Sequence, residues 1–144
     1  MNKYYRPEDE EFCIGFEVET KTYVYPDKWQ KQIIDEGRDI DAIFGYAEDY
    51  RVKYLDEQDI IDLGWEHFDS DYDLAWKEKH GEDVKHYFIE VRGLGMFFLF
   101  FNVQQSKITI DFGEDEDSHH RYIDSLYIKN KSELKKIMQM IGII

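Results

Sequence analysis

Apolar positions Phe12, Ile14, Phe16 and Val18 alternate with Cys13, Gly15, Glu17 and Glu19. This spacing predicts a half-buried strand whose polar face ends in two carboxylates. Pro26 and Asp27 then open a predicted short helix with Trp29, Ile33 and Ile34 on one face and Gly37 as its stop. A second short helix is expected to hold Ile40, Ile43 and Phe44 until Gly45 interrupts it. Tyr50, Val52 and Tyr54 alternate with Arg51 and Lys53, and Asp56 is placed to cap a helical turn through Ile60 and Ile61 that stops at Leu63-Gly64. A further strand starts at Trp65. From Asp69 to Asp83 the charge density is high, and Tyr72, Leu74, Ala75 and Trp76 show no clear period. That stretch reads as an exposed excursion with some helix in it.

The second half has a cleaner pattern. Val84 to Arg92 and Met96 to Val103 flank Gly93-Leu94-Gly95, where glycines on both sides of one residue suit a tight hairpin. Ile108, Ile110 and Phe112 alternate after a polar turn at Gln104 to Ser106, which makes three consecutive strands and an antiparallel meander. Asn130 followed by Glu133 has the spacing of a capping box, and Leu134, Ile137, Met138 and Ile141 form an apolar stripe at helical spacing. Because the strands run consecutively, the expected class is α+β. The expected fold is an antiparallel sheet of five or six strands, a C-terminal helix on one face and short helices between the first strands. No repeat or linker divides residues 1–144, and a single domain is expected.

Composition narrows the class. Of 144 residues, 42% are hydrophobic and 17% aromatic, enough large apolar surface for a folded chain despite its charge. Eighteen Lys plus Arg stand against 32 Asp plus Glu, a net charge of −14. That field repels phosphate backbones and attracts basic protein surfaces, so direct nucleic-acid binding is not expected; it also serves solubility alone. Cys13 is the lone cysteine, so an internal disulfide and a Cys-rich zinc site are both ruled out. The segment from Met1 to Glu11 lacks the apolar stretch of a signal peptide. Met96 to Phe101, the most hydrophobic run, falls far short of the roughly 20 residues that span a membrane. The expectation is a cytoplasmic protein.

Candidate chemistry is sparse. Asp111, Glu114, Asp115, Glu116, Asp117, His119 and His120 offer oxygen and nitrogen donors to a divalent ion, but they lack the glycine and terminal Glu of a calcium loop. A solvated acidic hairpin tip explains them as well. Glu17, Glu19 and Lys21 share a strand face, and Glu-x-Lys matches half of a metal-dependent nuclease core. The other half, an acidic residue on a neighbouring strand, is missing, since Asp9, Glu10 and Glu11 show no strand pattern. His86, Glu90 and Arg92 share parity on one strand, where a solvent-side ion pair accounts for them. Cys13 has no His neighbour in sequence and reads as a buried or half-buried structural cysteine. No phosphate-binding glycine loop, nucleophile elbow or His-Glu-x-x-His motif is present, so a non-enzymatic protein without cofactor or metal is expected.

Aromatic residues outside the periodic segments, Tyr4, Tyr5, Tyr46, Tyr72 and Trp76, lie among acids. This suits anchoring on a basic protein surface, with Glu17, Glu19, Tyr72, Trp76, Glu114, Asp115, Glu116 and Asp117 as the expected binding residues. Packing under their own loops is the alternative. Several stretches carry a resemblance: Tyr5-Arg6-Pro7-Glu8 through Glu11-Phe12 with Gly15-Phe16-Glu17, Arg51 to Asp56 with Asp59-Ile60, Leu63-Gly64-Trp65-Glu66, and Lys129 to Leu134. In these the chain resembles a group of short proteins of phages and prophages of Bacteroidota. The resemblance transfers no catalytic residue. It implies a small accessory protein of a mobile element, a setting where inhibitors of host defence are common. With the charge, it leads to the expectation of an inhibitor that occupies a basic surface of a host nucleic-acid-handling protein, such as an RNA-guided nuclease (an anti-CRISPR). Such effectors hold guide duplexes in positively charged channels. The alternatives are a metal-dependent hydrolase or nuclease using Glu17, Glu19 and Lys21, and a structural accessory of the phage particle.

Overall fold

The chain is α+β, and its strands pair antiparallel, in a computed structural model that describes residues 3–115 and 118–144, with 114, 115, 118 and 119 described by backbone alone. In place of one sheet of five or six strands there are two, of four and five strands. They belong to two compact units, residues up to Tyr54 with Asn130–Ser132, and Leu55–Lys129 with Glu133–Ile144. The physical reason is that the apolar residues fall into two separate buried clusters, each closing over its own sheet.

The first unit contains β1 (Tyr4–Tyr5), β2 (Glu17–Thr22), β3 (Gln30–Ile33), α1 (Gly37–Tyr46) and β4 (Ala47–Lys53), with strand order β1-β4-β2-β3. Phe12, Phe16, Val18, Ile34, Ile43 and Val52 form its core. The alternation read from Phe12 onward is real only from Phe16. Gly15 takes φ +89° and the Phe16 N–H donates to the Cys13 carbonyl at 3.0 Å, so the chain turns there. That turn leaves both Ile14 and Cys13 exposed, against the expectation for each.

The helix expected after Pro26 is instead β3. Pairing of Glu17 with Ile33 and of Thr20 with Gln30 satisfies the backbone across strands, and of the three expected helix-face residues only Ile34 is buried. Gly37 opens α1 rather than stopping a helix, and Gly45 lies inside α1 without interrupting it. Asp39 caps the start of α1, accepting from the N–H groups of Asp35 (3.0 Å) and Glu36 (2.9 Å).

The second unit contains α2 (Glu57–Asp62), β5 (Glu66–His67), α3 (Ser70–His80), β6 (Val84–Val91), β7 (Gly95–Asn102), β8 (Lys107–Asp115), β9 (Ser118–Tyr127) and α4 (Lys131–Met140), with sheet order β5-β6-β7-β8-β9. Asp56 caps α2 as expected: it accepts from the Asp59 N–H at 2.9 Å, and Asp59 accepts in return from the Asp56 N–H at 3.2 Å. One face of the sheet carries Tyr87, Phe97, Leu99, Phe101, Ile108 and Ile110, which cluster with Ile60, Trp65, Leu134 and Met138. Leu134 and Met138 are fully buried, so the apolar stripe of α4 covers this face. The Trp65 indole N–H points at the Met138 sulfur, 3.3 Å away.

The other face carries the opposite parity. His86 pairs with Phe100 and Phe88 with Phe98, and α3 lies against β6 on this side. His86 is therefore not on a solvent-facing surface with Glu90 and Arg92; it is 2% exposed. Likewise the stretch from Asp69 to Asp83 is not a loose excursion but an 11-residue helix, capped at Asp69 by the Asp71 N–H and closed by Gly81 at φ +71°.

Candidate functional site

Glu17, Glu19 and Lys21 do share the outward face of β2, because Val18 and Thr20 alternate inward and are buried. Each is engaged by a cation or ring from a neighbouring segment. Glu17 pairs with Lys31 at 2.9 Å, and its carboxylate holds the Lys31 ammonium above the ordinary lysine range. Glu19 pairs with Arg51 at 3.2 Å. The Arg51 guanidinium lies over two rings, 3.6 Å from the Tyr4 centroid and 4.1 Å from the Trp29 centroid, while the Lys21 ammonium is 4.7 Å from Trp29. The carboxylates thus serve cross-strand ion pairing. The face they stand on is of mixed charge rather than acidic, with Lys21, Lys31 and Arg51 beside the two glutamates.

Asp73 organises a second constellation, on α3. Its Oδ2 accepts from His67 Nε2 at 2.6 Å, and its Oδ1 accepts from His86 Nδ1 at 2.5 Å and from the His86 backbone N–H at 3.1 Å. A carboxylate only accepts, so each imidazole carries its proton on the nitrogen facing Asp73. Burial of His86 pushes its pKa below the ordinary value, with the Asp73 hydrogen bond opposing that shift. Neutral His86 then leaves Nε2 as a bare acceptor, and this atom is buried without a hydrogen-bond partner among the described residues. Trp76 Nε1, a donor, is in the same state, and the two rings are 5.3 Å apart between centroids. Tyr72 meets His86 edge-on at 4.7 Å and Phe100 flanks it at 5.2 Å.

A carboxylate holding the Nδ1 proton of an imidazole is the orienting half of a catalytic dyad. Here the other nitrogen faces aromatic rings and no solvent, so the arrangement as folded is a buried tie between helix and sheet. Of the expected aromatic anchors, Tyr72 is 46% exposed but Trp76 is half-buried, stacked near His80 at 4.2 Å. The expectation that both rings stand free for a partner is corrected for Trp76. Sequence reading missed His67 and Asp73, and it placed His86 on the solvent side of its strand, where the structure buries it. The available signal was helical spacing of Tyr72, Trp76 and His80 after the Asp69 cap, masked because the inward residue between them is an aspartate.

In the acidic hairpin, Glu116 and Asp117 lie outside the described residues, as do the side chains of Glu114, Asp115 and His119. Asp111, the first of the oxygen donors weighed in the sequence as a metal ligand, is 3% exposed and accepts from Arg121 Nε at 3.3 Å. Among the described residues no group of three or more His, Cys, Asp or Glu is placed to hold a metal ion, and no helix is long and apolar enough to cross a membrane. Large apolar side chains do stand exposed. Tyr23, Val24 and Tyr25 occupy the connection from β2 to β3, and Leu74, 58% exposed, lies on α3. No family model, curated protein or solved structure matches the chain.

Proposed function

We propose that this protein works by binding a basic surface of a partner protein. The observation that carries the reading is the net charge of −14 together with apolar side chains exposed on α3. Tyr72 and Leu74 flank the buried Asp73 on opposite sides of the helix, and the exposed charges of this segment are Glu66, Asp69, Asp71 and Glu78 against Lys77 and Lys79. Rings and aliphatic groups amid acids supply contact area, while the charge steers association with a basic partner. Together with the resemblance to phage and prophage proteins, this supports a finer reading: an inhibitor of a host nucleic-acid-handling defence effector, such as an RNA-guided nuclease.

The test is cleavage of a matched target by RNA-guided nucleases from Bacteroidota in the presence of the protein, with association measured across a salt series. Inhibition with association that slows as salt rises supports the proposal. Full cleavage at excess protein, with no association at any salt concentration, removes the finer reading. Cleavage of DNA or RNA by the protein itself, lost in Glu19→Ala, would establish the metal-dependent hydrolase in its place.

A further inference from the structure

We infer that α3 is an acid-released helix: it is fastened to the sheet through the His67–Asp73–His86 tie, and protonation of the buried imidazole lifts it.

Ordinary helices dock by an apolar stripe. In α3 the single buried residue, among the described residues, is Asp73. Its apolar contribution is the half-buried Trp76 and the edge of Tyr72, and both of these rings lean on His86. Docking therefore depends on a carboxylate accepting from two imidazoles. The tie has one exposed end and one enclosed end. His67 has a 35% exposed side chain. His86 is enclosed, and its Nε2 has no acceptor to receive a second N–H. Charging it in place buries an N–H donor without a partner, beside aromatic rings.

The titratable groups that face His86 are few. From β5 there is His67, whose charge opposes a second one on His86; from α3 there is Asp73, with Tyr72 edge-on to the ring. His80 packs against Trp76 at 4.2 Å, Tyr87 is on the other face of β6, and β7 contributes the uncharged Phe100. The sign follows. Burial lowers the His86 pKa in the docked state, so the lifted state, with His86 in water, binds the proton more tightly. Docking is complete above the ordinary histidine value of about 6.5 and is lost as pH falls below it towards the lowered value.

The experiment is amide hydrogen exchange on the full chain at pH 8, 7, 6 and 5, with intrinsic rates divided out, alongside NMR titration of the His86 ring. Protection across Ser70–His80 should fall at least tenfold from pH 8 to pH 5 while β7 and β8 keep theirs, and its midpoint should coincide with His86 protonation. His86→Asn keeps an N–H donor towards Asp73 but does not titrate. In that variant α3 protection should be flat with pH. If it does not fold, the coincidence of the two midpoints in the unaltered chain decides. Protection of α3 that is constant with pH, that falls together with β7 and β8, or that keeps its pH dependence in His86→Asn overturns the inference.

Discussion

Arg51 reaches across the β2–β4 pair to Glu19 at 3.2 Å, and in doing so lies over the rings of both Tyr4 and Trp29. A guanidinium placed in this way contributes through desolvated ring contact as well as charge. Arg51→Ala should therefore cost the first unit about 2 kcal/mol, whereas Glu19→Gln, which leaves the stack intact, should cost about 1 kcal/mol or less. Denaturant unfolding of both variants, followed by a probe in the first unit, checks the order.

Trp76→Ala removes a half-buried ring from beneath α3, so about 2 kcal/mol of helix docking should be lost before any partner is considered. Leu74→Ala touches no core cluster and should change stability by less than about 0.5 kcal/mol. If α3 is the docking surface for a basic partner, Leu74→Ala should nevertheless weaken that complex. Thermal melts and titration calorimetry on the two variants separate folding from recognition.

Neutralising Glu114, Asp115, Glu116 and Asp117 together should slow association with such a partner by roughly tenfold at low salt and by much less at high salt. Dissociation should barely change. Stopped-flow mixing at two ionic strengths gives both rates.

Asp39 has its carboxyl held below the ordinary aspartate range by the N–H groups of Glu36 and Asp35. A depressed pKa means that its support of α1 is complete above the ordinary value of 3.8 and disappears as pH falls through the lowered one. Asp39→Asn should fray α1 at neutral pH and remove that part of the acid transition. Circular dichroism between pH 6 and pH 2 on both proteins measures it.

Leu134, on the inward face of α4, is fully buried, and Leu134→Ala should cost about 3 kcal/mol. Ending the chain at Lys131 removes Leu134, Met138 and their neighbours together and should abolish cooperative unfolding of the second unit. A truncated protein that still melts sharply would contradict the role given to α4.

What was legible in the sequence is what local chemistry decides. Asp56 caps α2, the β6–β8 meander follows from the Gly93-Leu94-Gly95 hairpin and the alternation of Ile108, Ile110 and Phe112, and the α4 stripe needs only helical spacing. The misreadings share a cause. Trp29, Ile33 and Ile34 have helical spacing, yet β3 forms because β2 supplies backbone partners that lie far away in sequence. Phe12 to Val18 alternates, yet Gly15 turns the chain. The binding residues divided along the same line. Glu17 and Glu19 were correctly placed on one face, but their cationic partners come from β3 and β4, and no local pattern announces Asp73 as the inward residue of a helix.

The polar seat of α3 also bears on how the sequence can drift. Nine of its 11 residues are exposed, with only Asp73 buried and Trp76 half-buried. A helix held by an apolar stripe surrenders about a third of its positions to the core, whereas this one surrenders very few. Its outer surface can be rewritten by successive mutations at little cost in stability. The helix thus presents a large mutable surface on a small fixed anchor.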